Sequence, residues 1–193
     1  MVTVTLEQAK AIVDLADILK PVFKPGYLVV GILTDGLPIA RGLAHILQPQ
    51  MPEFVIDFIG ASSDEIYPFV DPVQFAKLRS NSAKRIYVDW RTKTGKLGKQ
   101  LKQVDPDCWY AVLSDPYLKA DYRATTSDIF KLDWPSNFPM IRRLIGIATY
   151  PTTLDGISQK DGVLDYYRLK NPESEAFYKS LYAALDEVRS RND

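Results

Sequence analysis

The sequence predicts an α/β fold built on a mainly parallel sheet flanked by helices. Two observations carry that expectation. Short apolar runs rich in β-branched residues recur along the 193-residue chain: 27-YLVVGIL-33, 53-EFVIDFIG-60, 85-RIYVD-89 and 108-CWYAVL-113. Runs with little polar alternation suit strands buried on both faces. Between them lie stretches with apolar residues at helical spacing, and strands alternating with helices point to a parallel sheet.

Each element has its own signals. Thr5 with Gln8 three residues on forms a capping box; Leu6, Ala9, Val13 and Ala16 follow at helical spacing, so a helix is expected over about 5–20, ended by Pro21 and the Pro25-Gly26 turn. The strand at 27–33 leads through 34-TDG-36 into a helix over 37–48, marked by Leu37, Ala40, Leu43, Ala44 and Leu47 and stopped by Pro49 and Pro52. After the second strand comes a polar segment, 61–84, with a short helix expected near Gln74–Leu78. The strand 85–89, a loop 90–95 and a helix 96–104 follow, then the strand 108–113. Residues 115–142 read as irregular, and 144-LIGIATY-150 as a further strand. The last helix has Asn171 as its cap, Pro172 at its first position, and a stripe of Phe177, Leu181, Ala184, Leu185 and Val188.

Composition excludes several classes of function. The apolar share is 46% and the charges balance at 24 against 24, so no global charge draws the chain to nucleic acid. One cysteine, Cys108, excludes an internal disulfide framework, and one histidine, His45, sits in an apolar helical pattern without a nucleophile motif beside it. Both read as structural. The first residues lack a signal-peptide pattern and no apolar run approaches 18 residues, so a cytoplasmic protein with no membrane contact is expected.

Parallel α/β sheets bind ligands at the carboxyl ends of their strands. That directs attention to 34-TDGLP-38 and 89-DWRTKTG-95. These loops arrive in the order found in the type I phosphoribosyltransferases, and the chain resembles the purine-salvage (xanthine, guanine and hypoxanthine) branch of that family over roughly residues 27–135. The run 29-VVGILTDGLPIARGL-43 is similar to the family's first strand and pyrophosphate loop, here Thr34, Asp35 and Gly36. The run 54-FVIDFIGASSDE-65 resembles the second strand and mobile loop, and 85-RIYVDWRTKTG-95 the phosphoribosyl pyrophosphate motif. The run 110-YAVLSDPYLKADY-122 resembles the entry to a small hood, expected over about 115–142 with N-terminal segments, in a single domain spanning 1–193. The Trp134 of 133-DWPSNF-138 corresponds to a Trp-bearing base site.

The resemblance implies transfer of a phosphoribosyl group to a nucleobase, with Mg²⁺ in a working enzyme and paired acidic residues holding the ribose hydroxyls. It places the ribose and phosphate at Asp89, Trp90, Lys93, Thr94, Gly95, Lys96 and Leu97, with backbone N–H groups cradling the 5′-phosphate at a helix start. Asp89, Thr94 and Gly95 match the family. Trp90 replaces the second acidic residue, and an indole offers one N–H and no acceptor. Lys93 stands where the purine enzymes have an aspartate acting on the base, and Leu97 where a hydroxyl residue meets phosphate. Thr34 replaces a basic residue. Asp35 replaces a glycine, and either opposes a diphosphate or caps the following helix. Asp115 stands where a lysine reads the base, and a carboxylate there would accept from an exocyclic amine.

Two functions stay open at this point. One is a divergent phosphoribosyltransferase binding phosphoribosyl pyrophosphate or a nucleoside monophosphate. The other is a catalytically lapsed relative acting as a nucleotide sensor or interaction module. The cluster Arg91, Lys93, Lys96, Lys99 and Lys102 suggests nucleic acid, against which a solvated helix face is the ordinary expectation. By analogy with the family, a homo-oligomer is compatible with the sequence.

Overall fold

The computed structural model describes residues 4–33, 35–62, 69–70, 84–128 and 172–192. Helix α1 spans Leu6–Leu19. Its capping box is formed: the Gln8 N–H donates to Thr5 Oγ1 at 3.2 Å, and the Thr5 N–H donates to Gln8 Oε1 at 2.9 Å. Strand β1 (Leu28–Leu33) leads into α2 (Gly36–Leu47), followed by β2 (Val55–Ser62) and β3 (Phe69–Val70). Then come β4 (Arg85–Arg91), α3 (Lys96–Val104), β5 (Trp109–Ser114), β6 (Tyr122–Thr125) and α4 (Pro172–Asn192).

The strands form one sheet in the order β3-β2-β1-β4-β5-β6. All neighbouring pairs are parallel except β2 with the short edge strand β3. Alternation along each strand sends residues to opposite faces. Val29, Ile86, Val88, Ala111 and Leu113 pack with α1, α2 and α4 in the larger core. Val30, Ile32, Tyr87, Tyr110 and Val112 pack with Leu97 and Leu101 of α3 in the smaller one. The sheet is therefore covered on both faces, which is why its strands lack polar alternation.

The start of α2 lies directly on the sheet. A Cβ added to Gly36 would stand 2.1 Å from the Val88 carbonyl oxygen, and one added to Gly31 would stand 2.8 Å from the Gly36 carbonyl oxygen. Farther along, α2 is tied to α4. His45 Nε2 lies 2.9 Å from Asp186 Oδ1, and its ring stacks on Tyr182 at 4.4 Å between centroids. His45 is thus structural. So is Cys108, which is buried, with burial pushing its thiol up to about 12; a thiol so placed is inert.

Two expectations are corrected. The strand expected at 85–89 continues through Trp90 and Arg91, because its edge toward β5 stays paired as far as Arg91 with Ser114, although pairing with β1 ends at Val88. Residues 122–125, expected to be irregular, form β6. Every residue of β6 is half-buried, so the strand carries no period-two signal. It returns parallel to β5 after a connection of residues 115–121, short for a parallel crossover. Leu118 takes a left-handed backbone with φ 55° in that turn. Asp115 holds the turn by accepting from the Ala120 N–H at 2.7 Å and from Arg123 Nε at 3.1 Å, and Asp121 accepts from the Tyr110 N–H at 2.9 Å. The short helix at 74–78, the strand at 144–150, the Asn171 cap and residues 129–142 of the hood lie outside the described residues. Among the described residues no helix is long and apolar enough to cross a membrane.

Below α3, one ion pair joins both ends of a βα unit. Arg85 donates to both oxygens of Asp105, through Nη2 at 2.7 Å and through Nε, and Tyr87 donates its phenol at 3.2 Å. Asp105 is 2% exposed. Removing one partner strands a buried charge, so Asp105→Ala is expected to cost about 3 kcal/mol or more in a urea titration. Alkali tests the same interior. Burial first, then the Asp105 charge at Tyr87 and the Asp89 charge at Tyr110, raises both phenols above their ordinary value of 10.0. Above that value the unfolded chain sheds these protons while the folded chain keeps them. Stability intact at neutral pH is therefore expected to fall as pH rises past about 10, seen as a drop in Tm.

Candidate phosphate and sugar site

A cavity of about 330 Å³ opens at the carboxyl ends of β1 and β4. Asp35, Tyr110 and every residue from Asp89 to Leu97 line it. Strand β4 delivers Asp89, the turn carries residues 92–95, and α3 begins at Lys96 with its amino end toward the cavity. A helix start presents N–H groups and positive partial charge, so this end of the cavity suits an anion.

Gly95 makes the turn possible. Its φ is +72°, and a Cβ there would stand 3.0 Å from the Lys119 Cβ. The loop's hydroxyls meet its own amides: the Gly95 N–H donates to Thr92 Oγ1 at 3.2 Å, and the Lys96 N–H donates to Thr94 Oγ1 at 3.3 Å. Thr92 is 4% exposed, whereas Lys93, Thr94 and Lys96 are exposed.

Asp89 is 7% exposed and its carboxylate is already engaged. Oδ1 accepts from the Trp90 N–H at 2.7 Å, and Oδ2 accepts from the Tyr110 phenol at 3.4 Å. Both carboxylate oxygens therefore act as hydrogen-bond acceptors at the cavity wall. Trp90 follows strand alternation to the opposite face. It is 3% exposed and belongs to the larger core, although it borders the cavity. Its indole is a core side chain, which accounts for an aromatic residue at that position.

The other expected residues divide. Leu97 is buried against the α3 face of the sheet, so its side chain secures α3. Asp35 is half-buried on the cavity wall and makes no side-chain capping bond to α2. Gly36 serves the close approach of α2 to β4. Asp115 is 0% exposed and bound to the β5–β6 turn, away from the cavity lining. Thr34 and Trp134 lie outside the described residues. The basic cluster is partly neutralised: Arg91 pairs with Asp128 at 2.6 Å, and Lys102 pairs with Asp121. Sequence reasoning missed Thr92 and Tyr110. A threonine two residues before Thr94 carried a signal, since threonine hydroxyls bond nearby backbone in tight turns; Tyr110 resembled any core residue of a strand.

No family model matches the chain, and no curated protein matches it. Solved structures do match. One is an asparagine mutant from an analysis of an invariant aspartic acid in HPRTs, at TM-score 0.50 and 12% identity, covering 71% of this chain and 87% of that one. The hypoxanthine phosphoribosyltransferase of Trypanosoma cruzi matches at TM-score 0.48 and 15% identity, over 69% of this chain and 86% of that one. A purine phosphoribosyltransferase from Pyrococcus horikoshii matches at TM-score 0.44 and 22% identity, over 61% and 80%. At such identities the likeness is one of architecture alone: the chain shares the α/β fold of the HPRT structure matched at TM-score 0.50.

Proposed function

We propose that this chain binds a phosphoribosyl ligand, either phosphoribosyl pyrophosphate or a nucleoside monophosphate, with its phosphate against residues 92–97 and its sugar against Asp89. The observation that carries this reading is the continuous lining of one cavity by residues 89–97, from a carboxylate at one end to a helix start at the other. Lys93 and Lys96 add positive charge beside that helix start. A phosphate of charge near −2 gains both from such cations and from the helix dipole.

Transfer of the phosphoribosyl group to a nucleobase is the fuller form of this function. It requires stabilisation of a diphosphate leaving group, which Mg²⁺ supplies by neutralising charge on the oxygens. Among the described residues no group of three or more His, Cys, Asp or Glu side chains could hold a metal alone. Asp35 and Asp89 on the cavity wall fit Mg²⁺ in its usual manner, as one or two carboxylates that leave the remaining positions to water and ligand phosphate. Mg²⁺ held there would also offset the repulsion between the Asp35 carboxylate and a diphosphate.

The reading without turnover is favoured by Trp90. With its indole in the core, the sugar position retains the carboxylate of Asp89 in place of an acidic pair. Binding then persists while orientation of the ribose, which sets the rate of such a transfer, is weakened.

Three measurements test these statements. A nucleoside monophosphate, or phosphoribosyl pyrophosphate with Mg²⁺, at a hundredfold its Kd is expected to raise Tm by about 5–10 °C; no shift at millimolar ligand removes the binding reading. Pyrophosphate release with a nucleobase decides between the two forms of the function, and its absence with every common base leaves the binding form. Gly95→Ala places a Cβ on a left-handed backbone and against Lys119, so it is expected to cost about 1–3 kcal/mol of stability and to weaken phosphate binding more than tenfold.

A further inference from the structure

The turn between β5 and β6 lies along one face of α3. At one end Asp121 accepts from Lys102 Nζ and from the Tyr110 N–H. At the other end Lys119 crosses Gly95, and a Cβ added there would stand 3.0, 3.1 and 3.5 Å from the Lys119 Cβ, Cγ and Cδ. The bare Gly95 thus leaves room for the Lys119 stem beside the rim of the cavity. Gly95, Lys99 and Lys102 share this face by helical spacing, and the Lys99 N–H donates to the Gly95 carbonyl at 3.0 Å. Helical side chains tilt toward the helix start, so Lys99 leans back toward Gly95. The neighbouring cations have carboxylate partners: Lys102 has Asp121, Arg91 has Asp128 and Arg123 has Asp115. Lys99 and Lys119 are exposed and form no ion pair among the described residues. Neither belongs to the cavity lining.

We propose that this face receives a second phosphate, so that the chain takes a nucleoside 5′-diphosphate or a longer 5′-polyphosphate, the first phosphate against residues 92–97 and the next outside the cavity with Lys99 and Lys119. This rests on the reading that residues 92–97 hold the 5′-phosphate, and it names the ligand class of that site. One phosphate is served within the cavity by the start of α3 and by Lys93 and Lys96. Lys99 and Lys119 lie off that lining, where a single phosphate seated inside does not engage them. A phosphoanhydride carries further negative charge out past Gly95, to the two cations that have no carboxylate in competition. The acid on this face, Asp121, is already held by Lys102 and the Tyr110 amide. Lysine suits the task, since its ammonium is a compact charge on a flexible stem that follows a phosphate chain. At exposed positions such attraction is screened over about 10 Å in 0.1 M salt, so the preference fades as salt rises.

The test is calorimetric titration of the full chain with the 5′-mono- and 5′-diphosphates of adenosine, guanosine, cytidine and uridine, without divalent cations and at low salt. For the nucleoside that binds, the diphosphate is expected to bind about tenfold tighter than the monophosphate, with the advantage shrinking as salt is raised. Lys99→Gln and Lys119→Gln are each expected to reduce that advantage to about threefold, and the double variant to abolish it, while monophosphate affinity changes about twofold or less. Lys119→Arg is expected to keep the advantage, because it keeps the charge. A ligand-free Tm equal to that of the wild type shows that the variants retain the fold. Monophosphate binding with no gain for the diphosphate overturns the proposal and leaves the phosphate reading standing. An advantage that survives in the double variant overturns the assignment to these lysines. A 5′-phosphorylated oligonucleotide that binds tighter than any diphosphate, and loses that affinity in the double variant, assigns the face to a nucleic-acid strand and overturns the proposal. Failure of every nucleotide to bind overturns the phosphate reading itself, and this proposal with it.

Discussion

The amino end of α2 lies against the backbone of β4 with no side chain between them. At Gly36 there is room for a hydrogen and nothing larger, because the Val88 carbonyl occupies the place of a Cβ. Much else depends on that contact. It sets α2 across β1 and β4, where Ile39, Leu43 and Leu47 fill the larger core. It brings Asp35 to the wall of a cavity whose other residues come from β4, the turn after it, α3 and β5. It also directs the far end of α2 to α4, where His45 meets Asp186 and Tyr182. A backbone that approaches this closely cannot be adjusted by changing rotamers, so the position of the cavity wall is fixed by main-chain geometry.

Within the cavity the polar groups are largely satisfied by one another. Asp89 is bonded to the next amide and to a phenol, and two loop amides are bonded to loop threonines. A buried group left unpaired costs about 1–3 kcal/mol, so these internal bonds keep the ligand-free protein stable. They also mean that a ligand gains the difference between its own bonds and those it replaces. Charge-assisted bonds to phosphate are roughly twice as strong as neutral ones, so the exchange favours a charged ligand.

Much of this was legible in the sequence, and the exceptions have physical reasons. The capping box at Thr5 and Gln8 and the start of α3 at Lys96 follow from local rules, and the structure has both. The buried strands were readable because a sheet covered on both faces writes continuous apolar runs. Strand β6 was not, because every one of its residues is half-buried and none marks a face. Trp90 was readable as a departure from an acidic pair, but its place in the core depends on β4 running two residues further than the apolar pattern indicated. The bonds of Asp115 to Ala120 and Arg123 were not readable, because they depend on a turn that no local motif announces. Tyr110 was silent because its bond to Asp89 depends on where the phenol ends, and sequence shows only that the ring is apolar.

The clamp of Arg85 and Tyr87 on Asp105 has a consequence for how the site is inherited. It ties the beginning of β4 to the end of α3, and both bury their apolar residues against β5. Residues 85–114 thus form a contiguous module that carries nearly the whole cavity lining within its own boundaries. Asp35 is the contribution from elsewhere. A lineage can therefore rewrite the chemistry of the loop by changing a few neighbouring codons, while the clamp keeps the frame that presents it.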